Sequence, residues 1–303
     1  MEIGLVGLGR MGANMARRLI SGGHRVVSYD LDAGAVAASG HFGAEGADSL
    51  PALVSMLAPP RAVWLMLPHG QPTQDTIDSL SPLLSRGDAI LDGGNANYKD
   101  TMRRARELAS QGIDLIDVGT SGGIWGLTNG FCLMVGGSGD AVKRLEPAFR
   151  TLAPSETTGY SRVGPSGAGH FVKMVHNGVE YALMEAYAEG FELLSAKDEF
   201  NLDLAAIAET WRYGAVVRSW LLDLAAAALR EDPGLESLQA FVEDSGEGRW
   251  TVQESVDLGV PTPAITAALQ QRFRSRQDGP LGAKLLAALR QQFGGHAVRR
   301  SGD

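Results

Sequence analysis

Apolar residues follow two different rhythms along this chain. In its first half they form short runs, at 3–6, 25–29, 62–67, 89–91, 115–118 and 131–135, separated by stretches of helical spacing at 14–20, 71–84 and 98–110. Runs that are apolar throughout predict strands buried on both faces, and their alternation with helices predicts a mostly parallel, doubly wound sheet. Past a turn-rich junction at 163–169 strand signals nearly vanish. Alanine- and leucine-rich periodicity there predicts helices at 202–213, 217–229, 251–258, 263–274 and 281–292. The expected division is an α/β domain over 1–163 and an all-α domain over 164–303.

Two segments carry candidate chemistry. The first apolar run leads into Gly7-Leu8-Gly9-Arg10-Met11-Gly12, a helix follows, and the second run ends on Asp30. Strand, glycine loop, helix, strand and terminal acid in that order predict a dinucleotide-binding Rossmann domain. Gly7 would make the tight turn, Gly9 admit a pyrophosphate and Gly12 allow close helix packing. The helix start would offer its N–H groups to the phosphates. Asp30 predicts NAD, because a carboxylate accepts bonds from a free ribose hydroxyl and repels a 2′-phosphate; Arg10 is the loop residue that would help NADP. Met11, Leu67 at the end of the third run and Asn95 after the fourth join the expected cofactor set. Further ligand contacts are expected in the loops at 68–70, 93–95 and 119–123, beyond the carboxyl ends of the strands.

In the second segment, Lys173, His176, Asn177, Glu180 and Tyr181 fall at i, i+3, i+4, i+7 and i+8 of a helix-forming stretch. An amine, a carboxyl and hydrogen-bonding groups on one face, with apolar flanks at Phe171, Val172, Met174, Val175, Val179 and Leu183, predict the polar wall of a cavity in an apolar bundle. The competing reading, a structural Lys173–Glu180 ion pair, has to span two turns, about 10 Å along the axis. Ser166 stands where it could cap this helix. Gly119-Thr-Ser121-Gly-Gly123 also satisfies the nucleophile-elbow pattern of hydrolases. An elbow needs a helix at once, whereas 124–130 reads as a connection to the next strand-like run.

At 303 residues, 44% apolar and 20% charged, the chain has the composition of an ordinary globular protein of two domains. Its net charge of -8 argues against nonspecific nucleic-acid binding. No segment approaches the roughly 20 apolar residues of a membrane span, and the N-terminus lacks the features of a secretory signal. The single Cys132 permits no internal disulfide, and no CxxC or HExxH spacing offers a metal site. A cytoplasmic protein without a metal is expected. The basic runs Met102-Arg-Arg-Ala-Arg106 and Val298-Arg-Arg300 read as solvated faces.

The stretches GLGRMGANM, LDGGNANYKDTMRR at 91–104, DVGTSGGIWGLTNGFCLMVGG at 117–137, GAGHFVKMVHNGVEY at 167–181, GRWT at 248–251 and RQQFGGH at 290–296 together resemble the 6-phosphogluconate dehydrogenases. The likeness is stronger to their short, NAD-using form. It implies oxidative decarboxylation of 6-phosphogluconate to ribulose 5-phosphate, with Lys173 as general base and later acid and Glu180 as second proton donor. It further implies substrate contacts from Asn95, Ser121, Gly122, Gly123, His176, Asn177 and Tyr181, and a phosphate-binding role for Arg272. Arg290 and His296 match tail residues that enter a partner subunit's site, which implies a homodimer or homotetramer. The β-hydroxyacid dehydrogenases share the glycine loop, the SGG loop and the helix lysine, and are the competing family, with 3-hydroxyisobutyrate-like substrates. Longer 6-phosphogluconate dehydrogenases carry a lysine and a threonine where this chain has Ser245 and Glu247. A carboxylate beside a phosphate is unfavourable, so Glu247 is expected to point away or the phosphate to lie differently.

Overall fold

The computed structural model describes residues 1–295 and 297–299, so His296 lies outside the described residues. The chain forms two compact units that meet within one helix, between Asn177 and Gly178. The first unit runs β1 (Glu2–Val6), α1 (Arg10–Ser21), β2 (Arg25–Tyr29), α2 (Ala33–Gly40), β3 (Glu45–Gly46), α3 (Leu50–Ser55), β4 (Ala62–Leu65), α4 (Gln71–Leu80) and β5 (Ala89–Asp92). It continues with α5 (Tyr98–Ala109), β6 (Asp114–Ser121), α6 (Gly126–Asn129), β7 (Cys132–Gly136), α7 (Gly139–Leu152) and β8 (Tyr160–Gly164). The strands form one sheet in the order β3-β2-β1-β4-β5-β6-β7-β8. All neighbours are parallel except β6 and β7, which pair antiparallel with Ser121 opposite Cys132.

This is the α/β Rossmann arrangement that the apolar runs predict, because strands covered on both faces carry near-continuous apolar runs. Ile3, Leu91, Ile116 and Val135 pack with α1 and α7 on one face; Val6, Val63, Ile90 and Leu115 pack on the other. Three local readings differ. The helix predicted over 71–84 ends at Leu80 and finishes as a 3-10 turn, Ser81–Leu83, where Pro82 has no N–H to carry the α hydrogen-bond ladder onward. The supposed connection at 124–130 is helical, with a 3-10 turn at Gly123–Trp125 and then α6. Within the basic run at 102–106, Arg104 is buried on the inward face of α5 with Thr101 and Leu108, so that face is not solvated.

The helix α8 (Ala168–Ser195) belongs to the first unit up to Asn177. Its start is not capped by Ser166, whose hydroxyl donates to the Leu115 carbonyl instead. Asp117, fully buried on β6, accepts from the N–H groups of Gly167 (2.7 Å) and His170 (2.8 Å). A cap of this kind satisfies donors that a helix cannot pair internally. Two glycines let helix and strand approach: a Cβ at Gly119 would stand 2.5 Å from Lys173 Cβ, and one at Gly169 would stand 2.4 Å from the Met134 carbonyl.

The second unit is helical, comprising the rest of α8, then α9 (Leu204–Trp211), α10 (Trp220–Glu231), α11 (Glu247–Asp257), α12 (Pro263–Ser275) and α13 (Leu281–Gly294). Its buried clusters are small; one joins Tyr181, Ala268 and Leu269 and another joins Ala208, Ala226 and Leu229. Leu281, Leu285, Leu286 and Leu289 of α13 are exposed in the single chain. No helix among the described residues is long and apolar enough to cross a membrane.

Candidate active site

The glycine loop fits a dinucleotide. Gly7 has φ +95, and a Cβ there would meet the Met66 carbonyl at 2.5 Å; at Gly12 it would meet the Gly7 carbonyl at 2.0 Å. Both positions therefore exclude side chains. Around Gly9, by contrast, nothing lies within 4 Å of where a Cβ would stand. The open space sits at the start of α1, where Gly9 is the N-cap and supplies no side chain to bond the first N–H groups, so those donors remain for phosphate oxygens. Met11 is half-buried against the core, Arg10 is exposed, and the Leu67 side chain lies against Gly7.

Asp30 ends β2 with its carboxylate on the loop: Oδ2 accepts from Leu8 N–H (2.6 Å) and Oδ1 from Asp32 N–H (2.9 Å). It borders a cavity of about 410 Å³ lined by Tyr29, Leu31, Val36, Gly46 and Ala47. Each carboxylate oxygen accepts two bonds, so Asp30 keeps acceptor capacity for ribose hydroxyls while leaving a 2′-phosphate facing an anion.

After β5, Asn95 adopts φ +48, and its amide is spent on the neighbouring strand end. Its Nδ2 donates to the Thr120 carbonyl (3.1 Å) and its Oδ1 accepts from Thr120 N–H (3.0 Å), one residue before Ser121. Ser121 and Gly122 are half-buried, and Gly122 and Gly123 have φ +124 and +52, a left-handed pair that residues with side chains rarely adopt. Asn14 of α1 reaches this loop by donating to the Ile124 carbonyl (3.2 Å). Ser121 closes a strand here rather than occupying a strained turn, so the elbow geometry is absent at this position.

On α8, Lys173 is 5% exposed; its Nζ donates to Asn177 Oδ1 (2.5 Å) and lies 3.5 Å from His176 Nδ1. The helix buries its polar stripe, Lys173, Asn177 and Tyr181, whereas Val175, Val179 and Leu183 are exposed in the single chain. That reverses part of the expected burial: the apolar flanks were to be inside. The reason is steric, since the polar stripe lies over glycine surfaces, with Gly119 under Lys173 and Gly248 under the Tyr181 ring.

In the second unit, Glu180 is half-buried one residue before Tyr181, two helical turns beyond Lys173 and on the same helix face. The Arg272 guanidinium lies 3.5 Å from the Tyr181 ring centroid and donates to the Glu243 carbonyl (2.8 Å). The Tyr181 hydroxyl accepts from Ser245 N–H (3.2 Å), and the Ser245 hydroxyl donates to Glu247. Glu247 is 8% exposed, and its carboxylate accepts from Ser245, whose N–H holds the Tyr181 hydroxyl. Arg290 is exposed on α13.

Behind these residues lie Asp92, Asp117, Thr120 and His170, which the sequence pattern does not single out, and Arg104, which it reads as solvated. His170 is buried and joins α8 to the sheet, with Nε2 3.1 Å from the Asp92 carbonyl and Nδ1 2.8 Å from the Thr101 hydroxyl. Its place three residues before Lys173, on the same helix face, was the available signal.

Known proteins resemble this chain along most of its length. The model for the NAD binding domain of 6-phosphogluconate dehydrogenase matches residues 2–161, and that for the 6-phosphogluconate dehydrogenase C-terminal domain matches residues 169–281. The NAD(+)-dependent, decarboxylating 6-phosphogluconate dehydrogenase of Haloferax volcanii is 46% identical over 304 residues, covering 100% of both chains. The solved 6-phosphogluconate dehydrogenase of Plasmodium falciparum superposes with a TM-score of 0.84 at 25% identity, over 100% of this chain and 67% of that one. A Salmonella typhimurium 3-hydroxyisobutyrate dehydrogenase reaches a TM-score of 0.73 at 21% identity, over 89% of this chain and 92% of that one, which shows a shared fold alone. With both family domains matched in order and a full-length relative at that identity, the chain belongs to the 6-phosphogluconate dehydrogenase family.

Proposed function

We propose that this chain oxidises 6-phosphogluconate with NAD and releases carbon dioxide and ribulose 5-phosphate. The observation that carries the reading is the buried Lys173 amine, held by Asn177 on the face that continues to Glu180, in a chain whose full-length Haloferax relative bears this activity in its name. Bound NAD would accept the hydride from C3. Lys173 takes the proton of the C3 hydroxyl as the hydride leaves, a step that requires its amine to be neutral beforehand. The resulting 3-keto acid loses its carboxylate as carbon dioxide. Lys173, now protonated, donates to the developing enolate oxygen. Glu180 then delivers a proton to C1 of the enediol as Lys173 takes back the proton of the C2 hydroxyl, giving the ketose.

Asn95, Ser121, Gly122, Gly123, His176, Asn177 and Tyr181 contact the sugar acid in this reading, and Arg272 holds the phosphate. Arg290 and His296 complete a partner subunit's site in a homodimer or homotetramer; the exposed leucines of α13 support a second copy. A β-hydroxyacid dehydrogenase is not favoured, because it would leave Arg272 and the tail cations idle and its likeness to this chain extends to fold alone.

Lys173→Met tests the base. NADH formation from 6-phosphogluconate, followed by absorbance, is expected to vanish while NAD affinity stays near that of the unaltered chain. Unchanged turnover would refute the assignment. Running the unaltered chain with 3-hydroxyisobutyrate beside 6-phosphogluconate separates the two families' substrates.

A further inference from the structure

The carboxyl edge of the sheet contains a buried cation that the proposed reaction does not use. Arg104 of α5 is 2% exposed and reaches three places. Its Nε donates to Gln74 Oε1 of α4 (2.9 Å), its NH2 donates to the Gly70 carbonyl in the loop after β4 (3.1 Å), and its NH1 lies 3.5 Å from Asp92 Oδ2 at the end of β5. Gly70 has φ +89, so the carbonyl Arg104 holds belongs to a backbone conformation that favours glycine. Asp92 is fully buried, and its other oxygen accepts from Gly94 N–H (3.1 Å), fixing the turn that ends in Asn95.

From Asn95 the chain of contacts passes to both hydrogen-bonding groups of Thr120 and so to Ser121 and Gly122. From the Asp92 carbonyl it passes through His170 to α8, three residues before Lys173. Among the described residues Arg104 NH1 and Asp92 Oδ2 have no hydrogen-bond partner, and they form an ion pair with each other in a buried place. Removing either charge leaves the other uncompensated in low dielectric. The pair joins the loops after β4 and β5 and backs the helix that carries the proposed base.

We infer that Arg104 and Asp92 are positioning residues, which set Asn95, the Ser121-Gly122 turn and the first turn of α8 in register for hydride and proton transfer. The inference rests on the proposed reaction for its kinetic reading. Its physical content, that Arg104 orders 93–97 and 119–123, is independent of which substrate is used.

The test uses the full chain with Arg104→Lys, which keeps the charge but loses the planar fork, and Gln74→Ala, which removes one half-buried partner and threatens folding little. Both are compared with the unaltered chain for kcat, KM, NAD affinity by fluorescence titration and hydrogen exchange. The expected result is a kcat lower by about tenfold or more for Arg104→Lys and about threefold for Gln74→Ala, with NAD affinity within about twofold, since misplacement acts on the reacting geometry and leaves the glycine loop alone. Exchange should rise in peptides covering 93–97 and 119–123. Unaltered kcat in both variants overturns the inference, as does a lower melting temperature with no change in kcat or in exchange at those two segments. If the unaltered chain fails to turn over 6-phosphogluconate, the proposed function falls, and the exchange comparison alone decides whether Arg104 positions the loops.

Discussion

Placing a methyl group at Gly119 tests how closely the catalytic helix must sit on the sheet. A Cβ at this position would lie 2.5 Å from Lys173 Cβ and 2.6 Å from the Gly169 carbonyl oxygen, neither of which can swing aside. Ordinary contact begins near 3.4 Å, so β6 and the start of α8 must part by about 0.9 Å. Overpacking of this kind costs about 1–3 kcal/mol in stability. The kinetic effect should be larger in proportion, because displacing a catalytic group by about 1 Å lowers the rate by about a hundredfold. The glycine loop is untouched, so NAD should bind nearly as before. Gly190→Ala, on the same helix with nothing within 4 Å, is the control and should stabilise the chain by up to about 1 kcal/mol. The assay is kcat from NADH absorbance together with thermal melting of both variants. Gly119→Ala with an unaltered kcat would show that the strand and helix contact does not set the position of Lys173.

Gly9→Ala should leave the melting temperature within a degree or so of the unaltered chain, because its Cβ meets nothing and φ there is -58, yet weaken NAD about tenfold or more by filling the space left for phosphate; equal NAD affinity by titration would refute the pyrophosphate assignment. Arg272→Ala should raise KM for 6-phosphogluconate by about tenfold with kcat nearly constant, since a charge-assisted contact away from the reacting carbons serves ground and transition states alike; an unchanged KM would move the phosphate elsewhere. Asp244, buried between Arg249 (2.5 Å) and Arg276 (2.8 Å), is held below the ordinary carboxylate value of 3.8, chiefly by the Arg249 hydrogen bond. The unfolded carboxylate therefore binds protons first, so this stabilisation is whole above about pH 3.8 and is lost as pH falls through the lower folded value. Asp244→Asn should cost about 1–3 kcal/mol at pH 7, less than for a fully buried pair because Arg249 stays half exposed, and the difference should shrink in melts below that pH. A gap that persists to pH 2 would contradict the ion-pair origin.

What could be read from residues alone follows burial. β1, β2, β4, β5 and β6 announce themselves because their centres are covered on both faces and carry consecutive apolar residues. Edge strand β8, Tyr-Ser-Arg-Val-Gly and largely exposed, carries no such signal, and β3 has only two residues. α7 is interrupted in its pattern by Pro147, and α2 and α3 are too short for periodicity to show. The glycine loop and the polar stripe of α8 were legible because their chemistry is packed into a few consecutive turns. Asp117 and Arg104 were not, since the groups they hydrogen-bond lie 50 or more and 30 or more residues away, and a lone carboxylate or a run of arginines looks the same whether it faces water or a buried carbonyl.

The Asp117 cap has a consequence for how the molecule opens. Helix ends ordinarily fray, since their first N–H groups hold nothing. Here the amides of Gly167 and His170 are tethered to a carboxylate on an interior strand, so the beginning of α8 can loosen only when β6 does. The lysine one turn further along thus inherits the slow breathing of the sheet, and thermal disorder at the surface is kept out of the place where the proposed proton transfer begins.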